Sequence, residues 1–229
     1  MSDIIHNSPA DIAELAARVL LDTQSVLLNP AEPFTLTSGR KSPVYVDCRR
    51  LMSFPEERSL LMDAAAKILE EKIGITDIDV LAGGETAGIP YAAFIAERLK
   101  KPMIYVRKKP KGFGRMAQIE GAIENENAKA VLIEDLQTDG GSKEVFVNAL
   151  REAGAEISHA FVIFHYGIFQ KSIDNMKDMG LNLYSLTTWH DVINVAKKEE
   201  RLPPDQIAEV ESFLDNPDDW QPAKSAQNS

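Results

Sequence analysis

Three scarcities narrow what this chain can be. Cys48 is the only cysteine, so no intrachain disulfide can form and a reducing cytosol is the simplest compartment. Long hydrophobic runs are missing: apolar stretches such as Ala160 to Phe164 are far too short to cross a bilayer, and no membrane association is expected. Positive charge is also short. Lys and Arg number 25 against 35 Asp and Glu, a formal net charge of −10. Duplex DNA binds mainly through cationic contacts to phosphate, so no nucleic-acid partner is expected, although a local basic cluster can still hold a small anion. The opening Met1-Ser2-Asp3 has no basic stretch followed by an apolar one, so no secretory signal is expected.

What is present fits one α/β domain over residues 1–229, since the length allows one sizeable core and is short for two. Ser8 is a good N-cap, Pro9 suits the first helical position, and Asp11 stands three residues after the cap. Ile12, Leu15, Ala16, Val19 and Leu20 then recur at helical spacing. Pro33 to Asp47 alternates apolar and polar residues around Ser38-Gly39 and reads as a hairpin. From residue 55 helices and strands alternate. Strands are predicted at 78–82, 103–106, 130–133, 160–164 and 181–186. Helices are predicted at 55–72, 87–100, 142–153, 172–179, 191–199 and 205–214. The expected division is an N-terminal helix and hood over 1–54, an α/β core over 55–200, and a C-terminal helix and tail over 201–229. Repeated strand–helix units imply an open, doubly wound parallel sheet covered on both faces. Such sheets bind ligands at the C-terminal ends of their strands, here the loops at 83–88, 107–121 and 134–142.

Four segments carry chemistry. In Val131-Leu132-Ile133-Glu134-Asp135-Leu136-Gln137-Thr138-Asp139-Gly140-Gly141-Ser142, an apolar strand meets two carboxylates and a Gly-rich turn that opens a helix. Consecutive backbone N–H groups and the positive helix end make a phosphate cradle, to which Thr138 and Ser142 add hydroxyls. Glu134 and Asp135 only accept, which suits a vicinal diol. A phosphate cradle beside a diol-binding pair fits ribose 5-phosphate; a plain strand-to-helix turn with solvated acids would read the same in isolation. The second segment, Arg107-Lys108-Lys109-Pro110-Lys111-Gly112-Phe113-Gly114-Arg115, gathers cations in an acidic chain, and its glycines and proline oppose regular structure. It reads as a mobile basic loop or as a solvated turn. The third is the hairpin containing Phe34, Arg40 and Tyr45. The fourth is Gly83-Gly84-Glu85-Thr86-Ala87-Gly88, another strand-to-helix turn with free N–H groups.

Taken in order, the four segments resemble the type I phosphoribosyltransferases, and within them the orotate phosphoribosyltransferases. The first resembles their motif for phosphoribosyl diphosphate (PRPP). The second resembles the Arg-Lys-x-x-Lys loop, with Arg107, Lys108 and Lys111 at the matching positions. The third resembles the Phe-x-x-x-Ser-Gly-x-x-Ser-Pro-x-Tyr hood that reads the base, and the fourth the loop that contacts diphosphate. The resemblance implies transfer of ribose 5-phosphate from PRPP to orotate, giving orotidine 5′-monophosphate and diphosphate in pyrimidine (UMP) biosynthesis. It implies Mg²⁺ carried on the diphosphate rather than in a protein cage, and a homodimer whose basic loop reaches the neighbouring site. Expected catalytic residues are Lys111, Asp135 and Glu134. Expected PRPP contacts are these three with Arg107, Lys108, Leu136, Gln137, Thr138, Asp139, Gly140, Gly141, Ser142, Glu85 and Thr86. Expected orotate contacts are Thr138, Phe34, Arg40 and Tyr45.

The chain departs from that family in places. Phe113 stands where many members have a loop His, so loop chemistry falls on Lys111. Thr37 stands where many have Lys. No Arg occurs in Phe164-His165-Tyr166-Gly167 to hold the orotate carboxylate, which leaves hood N–H groups or Arg40. His165 reads as structural, at a strand end. Purine-specific relatives typically place Asp at the position of Thr138. PRPP-sensing regulators that bind nucleic acid need a basic face or an added module, for which the segment before the hood is too short. No decarboxylase domain is expected at this length.

Overall fold

A computed structural model describes residues 8–36, 39–111, 118–138 and 143–222. Helix α1 (Pro9–Asp22) begins with the expected capping box: the Ser8 hydroxyl accepts from the Asp11 N–H, and the Asp11 carboxylate accepts from the Ser8 N–H at 2.9 Å. The pairing satisfies donors that the first helical turn leaves open. Ile12, Ala16, Val19 and Leu20 are buried, and α1 packs on strand β10 (Asn182–Thr188) and helix α6 (Trp189–Lys198). The first helix is thus part of the core layer.

The hairpin is shorter than its alternation indicates. Strand β2 (Phe34–Thr35) pairs with β3 (Lys41–Ser42), but β4 (Val44–Val46) changes partner and pairs antiparallel with β1 (Val26–Leu28). The change falls at Pro43, which has no N–H to continue the first ladder and whose carbonyl instead accepts from Asn29 at 2.7 Å. A 3-10 segment (Cys48–Ser53) then leads into α2 (Pro55–Lys72).

The main sheet holds β5 (Val80–Gly84), β6 (Met103–Val106), β7 (Ile119–Glu120), β8 (Lys129–Gln137), β9 (Glu156–His165) and β10, in the order β10-β9-β8-β5-β6-β7. All pairs are parallel except the edge pair β6–β7, so the sheet is mixed. Strand β7 lies within the segment read as loop from sequence; two residues carry too little periodicity to be seen. Helices α1, α2, α3 (Gly88–Leu99), α6 and α7 (Pro204–Asp215) belong to the core on one face; α4 (Lys143–Glu152) and α5 (Gln170–Asp178) cover the other. Among the described residues no helix is long and apolar enough to cross a membrane.

Two features place the functional region. The chain runs outward from β5 to β6 and then returns to the opposite side of β5 as β8, so the strand order reverses between β5 and β8. Crevices of open α/β sheets form there. Strand β8 also continues past its apolar stretch: Glu134 pairs with Val162, Leu136 with Phe164 and Gln137 with His165. The polar run from Glu134, read as loop from sequence, stays in the strand because β9 extends alongside it.

The segment after the hood is fastened to this region by Tyr91, which is fully buried on α3 and donates its hydroxyl to the Cys48 carbonyl at 2.5 Å. Tyr91→Phe leaves that carbonyl buried and unpaired, and should lower stability by about 1–3 kcal/mol. Urea unfolding checks this, and a change within error would show that the bond carries no net weight.

Candidate active site

At the end of β8, adjacent side chains point to opposite faces. Glu134 lies on the α4 side: Lys143 Nζ is 2.5 Å from its Oε2, and a Cβ added to Gly84 would stand 3.0 Å from its Cγ. Asp135 lies on the hood side. Its charge acts on Cys48 and Tyr91, and Arg49 in turn acts on Asp135. Burial is the main influence on Asp135 and raises its pKa, opposed by its own and the Leu136 N–H groups and by the charges of Lys143 and Arg49. The acids are neighbours in sequence with separate surroundings.

Strand β5 supplies a wall that only glycine allows. A Cβ on Gly88 would collide with the Ile133 carbonyl oxygen, and one on Gly84 would come within 2.9 Å of the Phe146 ring. Turn 84–88 therefore lies directly against the end of β8. In that turn the Glu85 N–H donates to the Val106 carbonyl at 2.9 Å, and the Glu85 carboxylate accepts from the Lys108 N–H at 2.8 Å. Glu85, expected at the diphosphate, anchors the root of the basic loop. Thr86 is exposed beside it, just before the N-terminus of α3, which has no side-chain cap.

The base of the basic loop is closed by two bonds. The Arg107 N–H donates to the Gln118 carbonyl at 2.8 Å, and Gln118 Nε2 donates to the Arg107 carbonyl at 3.1 Å. Arg107 lies 3.4 Å from Glu120, and Lys111 forms an ion pair with the same carboxylate. The hydrogen bond from Lys111 is the main cause holding Glu120 below the usual carboxylate range. Lys108 and Lys109 are exposed. Phe113 lies outside the described residues, as do Thr37, Asp139, Gly140, Gly141 and Ser142.

Not every expected residue faces one place. Gln137 is buried and donates to Ser172 Oγ of α5 at 2.8 Å. Arg40 is held by the C-terminal segment, 3.0 Å from Asp218, and also donates to the Pro217 carbonyl. Phe34 and Tyr45 keep company in the hood, ring centroids 5.7 Å apart, and Tyr45 acts electrostatically on the half-buried Tyr166. Leu136 and Thr138 are half-buried at the end of β8. His165 ends β9, and burial, then the charge of Lys143, lowers its pKa. Among the described residues no three His, Cys, Asp or Glu side chains are grouped to hold a metal. Sequence reasoning stopped at Asp47 and missed Arg49, which pairs with Asp47 at 3.0 Å and directs charge at Asp135. The basic Arg49-Arg50 pair directly after the hood was the available signal.

Known proteins supply the frame for this geometry. A family model described as phosphoribosyl transferase domain matches residues 52–198. The chain is 53% identical over 214 residues to the orotate phosphoribosyltransferase of Cereibacter sphaeroides, a match covering 93% of this chain and 92% of that relative. This chain belongs to the orotate phosphoribosyltransferase family. A relative of that name from Roseobacter denitrificans is 50% identical, over 93% of this chain and 94% of its own length. The crystal structure of orotate phosphoribosyltransferase from Aeropyrum pernix is similar with a TM-score of 0.64 and 29% identity, covering 81% of this chain and 99% of that one.

The environment of Asp135 has a measurable consequence. An unfolded aspartate ionises first; the folded chain keeps the Asp135 proton to a higher pH. Across that window the folded state binds more protons, so its stability should fall as pH rises and then level off. Denaturant titrations of wild type and Asp135→Asn at a series of pH values isolate this contribution. A difference that grows in favour of wild type with rising pH would contradict the assignment.

Proposed function

We propose that this chain transfers ribose 5-phosphate from PRPP to orotate, giving orotidine 5′-monophosphate and diphosphate. The observation that supports this most directly is the pair of acids at the end of β8, where the strand order reverses, with the hood on one side and the root of a cationic loop on the other. Family membership and the names of relatives matched over nearly their whole length support the same reading.

In this reading the base nitrogen gives up its proton to the departing diphosphate or to water and attacks the anomeric carbon as the bond to diphosphate breaks, and the electron pair of that bond leaves with diphosphate. Asp135 and Glu134 accept hydrogen bonds from the ribose hydroxyls and hold the carbon in line. The turn at 138–142 takes the 5′-phosphate, and the N–H groups of the 85–88 turn meet the diphosphate. Much of the rate then comes from positioning two bound reactants and from charge placed where it develops. Arg40, engaged by Asp218, is poorly placed for the orotate carboxylate, which favours hood N–H groups beside Phe34 and Tyr45. Mg²⁺ neutralises and orients the diphosphate when bound. The diphosphate's own oxygens would carry that ion. A single buried cysteine fits a cytosolic setting.

Purified protein should consume orotate in the presence of PRPP and Mg²⁺, release diphosphate, and lose activity on chelation. Orotate absorbance followed beside uracil, hypoxanthine and adenine checks this; equal or faster use of a purine would overturn the assignment.

Lys111 is drawn back to Glu120 here, so it must leave that partner to reach diphosphate. We read this as the open position of a lid that serves the neighbouring subunit of a homodimer. Lys111→Ala should lower kcat by roughly 10²–10³-fold, with a smaller effect on KM for PRPP. Mixing Lys111→Ala with Asp135→Asn under subunit exchange should restore activity, because one site of each mixed dimer is then intact. Mixed dimers that form and stay inactive would place the loop in its own subunit.

A further inference from the structure

Among the described residues only two charged side chains are buried, and they touch: Glu134 and Lys143. Lys143 opens α4, yet its side chain is 1% exposed, and its ammonium lies 2.5 Å from Glu134 Oε2 and 3.4 Å from the Leu136 carbonyl oxygen. Neither the helix nor the core calls for this residue. A cation in the first turn opposes the helix dipole. Its buried neighbours on α4 are Phe146, Val147 and Leu150, among which an apolar side chain would pack without any penalty for burying charge. The need comes from β8. Glu134 and Asp135 are consecutive carboxylates at a largely buried strand end, where a carboxylate without a partner is driven to take up a proton. A protonated acid is a poorer acceptor for a hydroxyl.

We propose that Lys143 is a positioning residue for the ribose site: its buried ammonium grips one oxygen of Glu134, fixes the end of β8 and sets a positive charge beside both adjacent acids, the hydroxyl acceptors. This rests on the reading of those acids as the ribose-binding pair. The surrounding groups are consistent with one cation serving two acids. On the α4 side, Lys143 faces Glu134 and His165 of β9, and His165 is shifted toward its neutral form. On the hood side, Asp135 acts with Asp47 on Cys48 and on Tyr91 of α3, and Arg49 acts on Asp135. Arg49 is the other cation acting there, but it is largely exposed and already paired with Asp47. Lys143 also acts on Asp135, against the effect of burial.

The test compares wild type with Lys143→Met, which keeps an unbranched chain and drops the charge, and Lys143→Arg, which keeps it. Affinity for ribose 5-phosphate is measured by calorimetry, and kcat/KM for PRPP is followed against pH beside KM for orotate. Lys143→Met should weaken ribose 5-phosphate and PRPP by about 10-fold or more and leave KM for orotate unchanged. It should also move the acid limb of kcat/KM upward by about one pH unit or more, while Lys143→Arg keeps the limb where wild type has it. Where Lys143→Met does not fold, Lys143→Gln, which retains a donor to Glu134 without charge, should show the same shift. A Lys143→Met or Lys143→Gln protein with a lower melting temperature but wild-type affinity and pH profile would make the pair architectural and overturn the proposal. Wild type that binds neither ribose 5-phosphate nor PRPP would instead overturn the ribose reading, and this proposal with it.

Discussion

Strand β8 must satisfy two demands that conflict. It lies inside the sheet, hydrogen-bonded to β5 and β9, with Val131, Leu132 and Ile133 almost wholly buried. It must also end in two carboxylates close enough to that core to be rigid. Charge and burial oppose each other by several kcal/mol per ion unless a partner is present. The surroundings of the strand end answer this demand. Lys143 meets Glu134 from one face, Arg49 sends charge to Asp135 from the other, and Gly84 and Gly88 let the β5 turn close against Ile133 and Glu134.

The same constraint organises the positive charge. In a chain of net charge −10, cations free to approach an anion are scarce, and acids hold many of them. Glu85 ties the Lys108 backbone, while Glu120 takes Arg107 and Lys111, so the described root of the basic segment is held beside the strand ends. In the proposed reaction Lys111 would exchange the Glu120 carboxylate for a phosphate, another anion.

Much of the fold was legible in local signals. Ser8-Pro9-x-Asp11 announced a capping box, and Pro33 to Asp47 announced extended hood structure. Alternating periods of strand and helix announced a wound sheet with its loops at one edge. The misses share a cause. The second half of the hairpin changed partner at Pro43, β8 outran its apolar residues because β9 continued beside it, and β7 exists only as a companion to β6. Each depends on a neighbour distant in sequence, and pairing partners leave no trace in local composition.

The sequence by itself determined which chemistry the chain can carry: adjacent acceptors, a glycine turn, a basic loop and a hood, in an order that names a family. Those are properties of residue type and spacing, fixed before folding. The tertiary structure decided what each group does. It sent Glu134 and Asp135 to opposite faces, turned Gln137 toward Ser172, gave Arg40 to Asp218 and Lys111 to Glu120, and brought Lys143 and Arg49 to the acids. A side chain's charge is set by its covalent structure, but its partner is set by which distant backbone stands within about 3 Å of it, and only the packed chain fixes that.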